Sequence, residues 1–417
     1  MSKQTAIIIT IVATAVAVIG LISWYLFLSP KATVNSEGIT SYIVSSFFPQ
    51  SSNTKPITDR SLVGETSTST ETGDPNEPAP KVRKITGTPV AGFTIIVDKK
   101  EGQVVRYMES ATGHTWSAPL SVMGKSRLTN TTIPKVREAL WLSNGTRVIA
   151  RYLDDVGRGI VSFKASVTQK KSDVGTPLDG TLDGTFMPSD IVSMTGSPSG
   201  DKIFYLTENE NGGSGVIVNA DSGKSSLIFS SPIKEWLPQW ANNTLIYLTT
   251  KPSAFFPGYL YSVNTASGAQ TRVLGGIPGL TTNANPQNTY IVYSDTTNNG
   301  FNLFSYNLKN KATEEMPLKT LAEKCAWDKT DANVIYCGIP KNPKNAAYPD
   351  EWYQGIVSFE DDLWKFNLKT GEVFIVTIFS EVTNEPIDII SPLVSPDSSY
   401  VVFLNKNDSS IWSVRVK

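Results

Sequence analysis

The 417 residues hold one imidazole and two thiols: His114, Cys325 and Cys337. A serine-hydrolase triad needs a base, and His114 sits in "ESATGHTWSAP", a turn expected to precede the outer strand of its blade. No Gly-x-Ser-x-Gly elbow is present. Structural zinc needs four ligands, so two cysteines do not make a site, and neither a metal nor a cofactor is expected. Adjacent aspartates occur twice, Asp154 with Asp155 and Asp361 with Asp362. A glycosidase needs two carboxyl groups about 5–10 Å apart, a distance that chain spacing does not supply. Both pairs read as solvated turn residues. These scarcities point away from an enzyme, so no catalytic residue is assigned.

A disulfide is the one covalent feature that the spacing favours. Cys325 ends one strand-like run and Cys337 ends the next, with the turn "WDKTDAN" between them. The two are expected opposite each other across a hairpin. Two small buried hydrophobes are the alternative.

The elements that hold these residues are strands. Charge is nearly balanced, with 37 basic and 38 acidic residues, so no nucleic-acid partner is implied. From residue 81 the chain repeats a unit. A short inner run ("DIVSM", "EKCAW", "DIISPLV") leads to a turn such as "SPSGD" or "SPDSS". A strand follows ("KIFYL", "TLIYL", "NVIYC", "YVVFL"), then another that usually ends in Asn ("LYSVN", "LFSYN", "LWKFN"), then a turn and an outer strand. Four antiparallel strands at a period of roughly 40–50 residues are the mark of a propeller blade. Landmarks at Tyr205, Tyr247, Tyr293, Tyr336 and Phe403 set five blades. Weaker ones near Ile96 and Ile149 make seven, with "VVRYM" (Val104 to Met108) in the third-strand position of the first. The fold class is all-β, a seven-bladed β-propeller over 81–417.

The last unit lacks an outer strand. "KVRKIT", Lys81 to Thr86, has the missing pattern and is expected to pair beside Ile411 to Val416. That pairing closes the ring and removes two open sheet edges.

The core of the unit, "SPDG" followed by an apolar strand and a "TG" turn, resembles the TolB-like, WD40-like propeller repeat. The match is good in "SPDSSYVVFLNKNDSSIWSV" and "SPSGDKIFYL" and looser elsewhere. The resemblance implies the fold and no particular activity. By family analogy, binding takes place on the face where inner strands begin. The connection between the second and third strands lies on that face. In the sixth blade it carries "GIPKNPKNAAYPDEWYQGIVSFED", with Tyr348, Asp350, Glu351, Trp352, Tyr353 and Gln354. In the fourth it carries "TKPSAFFPG", with Phe255 and Phe256. Aromatic residues in long loops either pack down as a lid or offer contact surface. Both readings stand. In the second, Trp352 and Tyr353 are anchors and Asp350 and Glu351 a polar rim.

Ahead of the repeats, Ala6 to Leu28 is uncharged and ends in Trp24–Leu28. At about 1.5 Å per residue such a helix spans a bilayer core of about 30 Å. Residues 1–30 therefore read as an uncleaved signal anchor with its N-terminus in the cytoplasm and the propeller exported. Residues 31–80, rich in Ser, Thr, Pro and Glu, read as a disordered tether. A short apolar patch at Ile39–Phe48 interrupts it. The expected function is a membrane-anchored, outward-facing platform in a cell envelope, binding a protein or an envelope polymer. The alternatives are a propeller enzyme acting on glycans, or an accessory or sensor subunit of an envelope secretion machine.

Overall fold

The computed structural model describes residues 74–142, 144–154, 157–168, 180–297 and 300–417. The expected anchor Ala6–Leu28, the patch Ile39–Phe48 and the tether up to residue 73 lie outside them. Among the described residues no helix is long and apolar enough to cross a membrane.

The described strands form seven four-stranded antiparallel sheets, which is a seven-bladed propeller. The inner strands of blades one to seven are Val90–Asp98, Val136–Trp141, Ile191–Gly196, Trp236–Asn242, Thr281–Ala284, Cys325–Trp327 and Ile389–Val394. Second strands such as Leu245–Thr250 and Tyr400–Asn405 are near-continuous apolar runs because both of their faces are covered by neighbouring blades. Tyr336 and Leu363 of blade six share one core cluster with Phe403, Trp412 and Val414 of blade seven.

The repeat motif has a local cause at each end. The Asn that closes a third strand caps the turn that follows. Asn264 Oδ1 accepts the amides of Ala266 and Ser267, and Asn219, Asn307 and Asn367 repeat the arrangement. This is an Asx turn, which fixes the chain reversal without help from the sheet. The serine that opens "SPSGD" and "SPDSS" gathers the amides across its own turn. Ser197 Oγ accepts from Lys202 N, and Ser395 Oγ accepts from Tyr400 N, both at 2.9 Å.

The ring closes where expected. Val82–Lys84 pairs antiparallel with Ile411–Arg415, in the register Val82↔Val414, Arg83↔Ser413 and Lys84↔Trp412. Ile85 N donates to Ile411 O at 2.7 Å. Ile85, Val402, Leu404 and Ile411 then pack on Phe93, Val105 and Tyr107 of blade one. Residues 74–80, assigned to the tether by composition, lie along blade one: Pro78 bridges Val122, and Ala79 N donates to Ser121 O at 2.8 Å.

Blade one departs from the expected frame by one strand. "VVRYM" belongs to the second strand, Gly102–Glu109, and "GFTIIVD" to the inner one. The third strand is Thr115–Pro119, and Ser126–Thr129 forms the outer edge. His114 therefore precedes the third strand rather than the outer one. The inner strand is fixed by Gly92, where a Cβ would meet the Ala139 carbonyl oxygen of blade two at 2.0 Å. Only glycine permits that approach at the channel wall.

Candidate functional site: the insert face and the channel beneath it

Blade six carries residues 341–360 between its second and third strands. This insert folds onto itself. Asp350–Tyr353 makes one helical turn. Trp352 stacks on Phe359 at 5.7 Å between centroids, and Phe359 stacks on Tyr348 at 5.4 Å. Phe301 of blade five meets Tyr348 edge-on at 4.8 Å. With Leu321 and Val357 these rings form a separate buried cluster. Tyr348 and Trp352 thus face inward, as a lid requires.

The other insert residues divide by position. Asp350 Oδ2 accepts the amide of Ala254 at 2.7 Å, tying the insert to the blade-four connection. Glu351 Oε1 accepts the amide of Ala347 within the insert. Tyr353 and Gln354 are exposed. Across the Asp350 link, Phe255 and Phe256 are each 72% exposed, and Ile356 is 63% exposed. The aromatic residues singled out in the two connections therefore share one face. Tyr348 and Trp352 are packed, and Phe255, Phe256 and Tyr353 are presented.

Below this face lies a cavity of about 460 Å³ in the channel. Inner-strand residues of blades one, two, four, five, six and seven line it, among them Glu138, Gln239, Thr282, Asn283 and Leu393, together with Glu323 and Tyr353. The blade-five segment "GLTTNA" contributes Thr281, Thr282 and Asn283, whereas the blade-three inner strand "IVSMTG" contributes nothing. Much of the wall polarity is used between blades. Gln239 Nε2 donates to Asn283 Oδ1 and to Ala284 O, and Asn283 Nδ2 donates to Cys325 O at 2.6 Å. Thr249 and Thr282 hydroxyls meet at 2.6 Å. Within blade two, Glu138 Oε2 accepts from Arg151 at 2.6 Å. This stitching joins blades four, five and six at the axis, where the sheets are narrowest.

Glu323 stands apart from that network. Tyr353 donates its hydroxyl to Glu323 Oε1 at 2.7 Å. Burial pushes the Glu323 carboxyl up to about 7, against the opposing pull of the Tyr353 hydroxyl and the Lys324 charge. A carboxyl that titrates near neutrality at a cavity wall is a candidate for binding or proton transfer. Sequence reasoning missed it because "AEKCAW" contains an ordinary charged pair, and only the ring places one member in the channel.

Cys325 and Cys337 form a disulfide, with Cα atoms 4.0 Å apart and directly paired in register. It braces the blade that bears the insert. The pair Asp361–Asp362 is not a solvated turn. Both residues begin the third strand Asp361–Asn367 and are buried. Asp362 Oδ1 accepts from Phe379 N at 3.1 Å and lies 3.2 Å from Lys341 Nζ. The apolar run "LWKFN" that follows them was the signal for a strand position. Asp154 caps its own turn through Arg158 N, and Asp155 lies outside the described residues. His114 is half-buried with its Nε2 3.3 Å from Thr132 Oγ1. Among the described residues no cluster of three or more His, Cys, Asp or Glu side chains is placed to hold a metal.

No family model matches the chain, and no curated protein matches it either. Solved structures do. Over 83% of this chain the fold is similar to the tricorn protease, at 9% identity and a TM-score of 0.51, covering 34% of that chain, about a third of its length. An oligogalacturonate lyase in complex with manganese is similar over 82% of this chain and 98% of its own, at 11% identity and a TM-score of 0.48. Hydrazine synthase of Kuenenia stuttgartiensis is similar over 80% and 97%, at 11% identity and a TM-score of 0.49. At these identities the likeness concerns the fold alone.

Proposed function

We propose that this chain is a membrane-anchored, outward-facing propeller of the TolB-like, WD40-like repeat type that binds a protein or envelope polymer on its insert face. One observation carries the reading: Phe255 and Phe256 are adjacent and largely exposed on a connection that Asp350 holds at the neighbouring Ala254. Single exposed apolar residues are ordinary on a protein surface, but adjacent exposed rings on a fixed loop are the usual anchors of a contact. Ile356, exposed, and Tyr353, which also lines the channel cavity, add apolar area on the insert. The buried Tyr348–Trp352–Phe359 stack keeps the face rigid, which lowers the entropy lost on association. The anchor rests on Ala6–Leu28 of the sequence.

Cross-linking from native membranes tests this, with the full chain and a Phe255→Ser, Phe256→Ser variant compared side by side. A partner captured by the wild type and lost in the variant supports the insert face. Equal capture by both moves the contact elsewhere. Protease added to intact cells should shed the propeller, and full protection would reverse the orientation.

Glu323 supports a second reading, an enzyme acting on glycans within the channel. Wild type and Glu323→Gln would be incubated with envelope glycan fragments. Turnover by the wild type alone would favour this reading, and turnover by neither would leave the platform.

A further inference from the structure

Behind the aromatic stack three charged side chains meet away from water. Lys324 Nζ lies 2.5 Å from Asp388 Oδ1 and 2.8 Å from Asp361 Oδ2, and all three side chains are fully buried. The ammonium is roofed by Phe359 at 4.8 Å and Trp352 at 5.0 Å from the ring centroids. Lys406 faces the Trp352 ring at 5.2 Å.

The two carboxyl groups are not equivalent. Asp388 Oδ2 accepts from Trp352 Nε1, Ser358 Oγ and Phe359 N at 2.9–3.0 Å, so this group is saturated with donors and fixed in place. Asp361 Oδ2 accepts from Ile389 N at 2.6 Å, but its buried Oδ1 has no partner. Burial pushes the Asp361 carboxyl up to about 6, with Lys324 pulling the other way and Asp388 adding to the rise. An ammonium and a carboxylate enclosed by rings lose their hydration, and moving one proton between them gives a neutral amine beside a neutral acid.

We propose that Lys324 and Asp361 join after folding in an intramolecular amide bond, with Asp388 as the proton-relaying carboxylate. The neutral amine nitrogen attacks Cγ of protonated Asp361. Asp388 takes the proton from that nitrogen and passes it to the departing hydroxyl. The N–C bond forms, the C–O bond breaks and one water leaves. Asp388 ends as it began, nothing is oxidised or reduced, and no co-reactant is needed. Fixed contact between amine and carboxyl supplies the proximity that amide formation from an acid otherwise lacks. The aromatic roof keeps out the water that would reverse it.

The bond would complete a clamp. The disulfide Cys325–Cys337 closes one root of the insert, and an amide from the adjacent Lys324 to Asp361 would close the other. The face carrying Tyr353 and Ile356 would then stand on two covalent links, one to the inner strand and one to the turn that leads into it.

Mass spectrometry of the purified, reduced and denatured full chain tests this directly. The linked chain weighs less than its sequence by one water, and its digest contains a branched peptide holding Lys324 and Asp361. Full mass, with Lys324 acylated by an added amine-reactive activated ester after denaturation, would overturn the proposal. Asp361→Ala should restore the full mass. Asp388→Asn keeps both partners and the shape of the relay, and should form the link roughly a hundredfold more slowly after refolding. Retention of the disulfide and a cooperative melt show that this variant has folded. Linkage at the wild-type rate would remove Asp388 from the reaction.

Discussion

Arg83 offers the sharpest test of how the ring is held shut. It sits on the closing strand, and its guanidinium reaches across to blade one. It donates to Pro119 O at 2.8 Å, Val122 O at 2.6 Å and Met123 O at 2.8 Å. The residue is buried, and that burial lowers its pKa. Substitution by Met keeps the apolar stem and removes all three bonds. Hydrogen bonds from a charged donor contribute about 1.5–3 kcal/mol each. Their sum is reduced by the desolvation that the guanidinium suffers and Met does not, several kcal/mol for a buried ion. A net loss of about 3 kcal/mol follows.

The unfolding entropy of roughly 2.1 cal/mol/K per residue, over roughly 340 residues, converts that loss to a fall in Tm of about 4 °C. Near-UV circular dichroism of the purified chain measures it, with Arg415→Met as the control. Arg415 lies exposed on the partner strand, and its loss should shift stability by no more than about 0.5 kcal/mol. Hydrogen exchange at Ile85 separates local opening of the seam from global unfolding, since that amide bonds to Ile411 O across it. Arg83→Met melting with the wild type, with no faster exchange at Ile85, would refute the argument that this arginine secures the closure.

Three further outcomes are expected. Replacing both cysteines by serine removes a cross-link with a sequence separation of 12; the chain-entropy relation gives a loss of about 3 kcal/mol, and an equal melt would place the brace's worth near zero. Glu323, with its folded pKa raised to about 7, binds more protons folded than unfolded above the carboxyl's ordinary range, so wild-type stability falls as pH rises from about 5 through 7. Glu323→Gln should flatten that part of the Tm–pH profile, and parallel profiles would show the carboxyl to be solvated. Ser398→Gly relieves a left-handed backbone at φ 59° but removes the hydroxyl that donates to Asp328 Oδ1 at 2.6 Å. A bond to a carboxylate is worth about 1.5–3 kcal/mol and the strain about 1 kcal/mol, so the variant should melt lower; a higher Tm would reverse that ranking.

Ser398 also marks the boundary of what the chain reveals about itself. Gly200 and Ser398 occupy the same place in "SPSG" and "SPDS", both with positive φ. The repeat was legible because such turns act locally: a serine gathers the amides of its own turn, and an Asn caps the next. Closure by Lys81–Thr86 was legible for a related reason, since a unit short of one strand leaves an edge that some segment of matching pattern must cover. Blade one broke the frame where the local signal was weak and the deciding contact, Gly92 against the Ala139 carbonyl, lay in another blade. The channel behaves likewise. Nothing near "AEKCAW" distinguishes Glu323, which reaches the cavity and meets Tyr353, from Lys324, which turns away to Asp361 and Asp388. Neighbours one peptide apart receive opposite environments because the 3-10 turn Ala322–Lys324 enters the inner strand at the narrowest part of the ring. In a propeller the strands follow from short-range pattern, whereas the chemistry of the axis follows from which side chains the seven sheets turn towards one another.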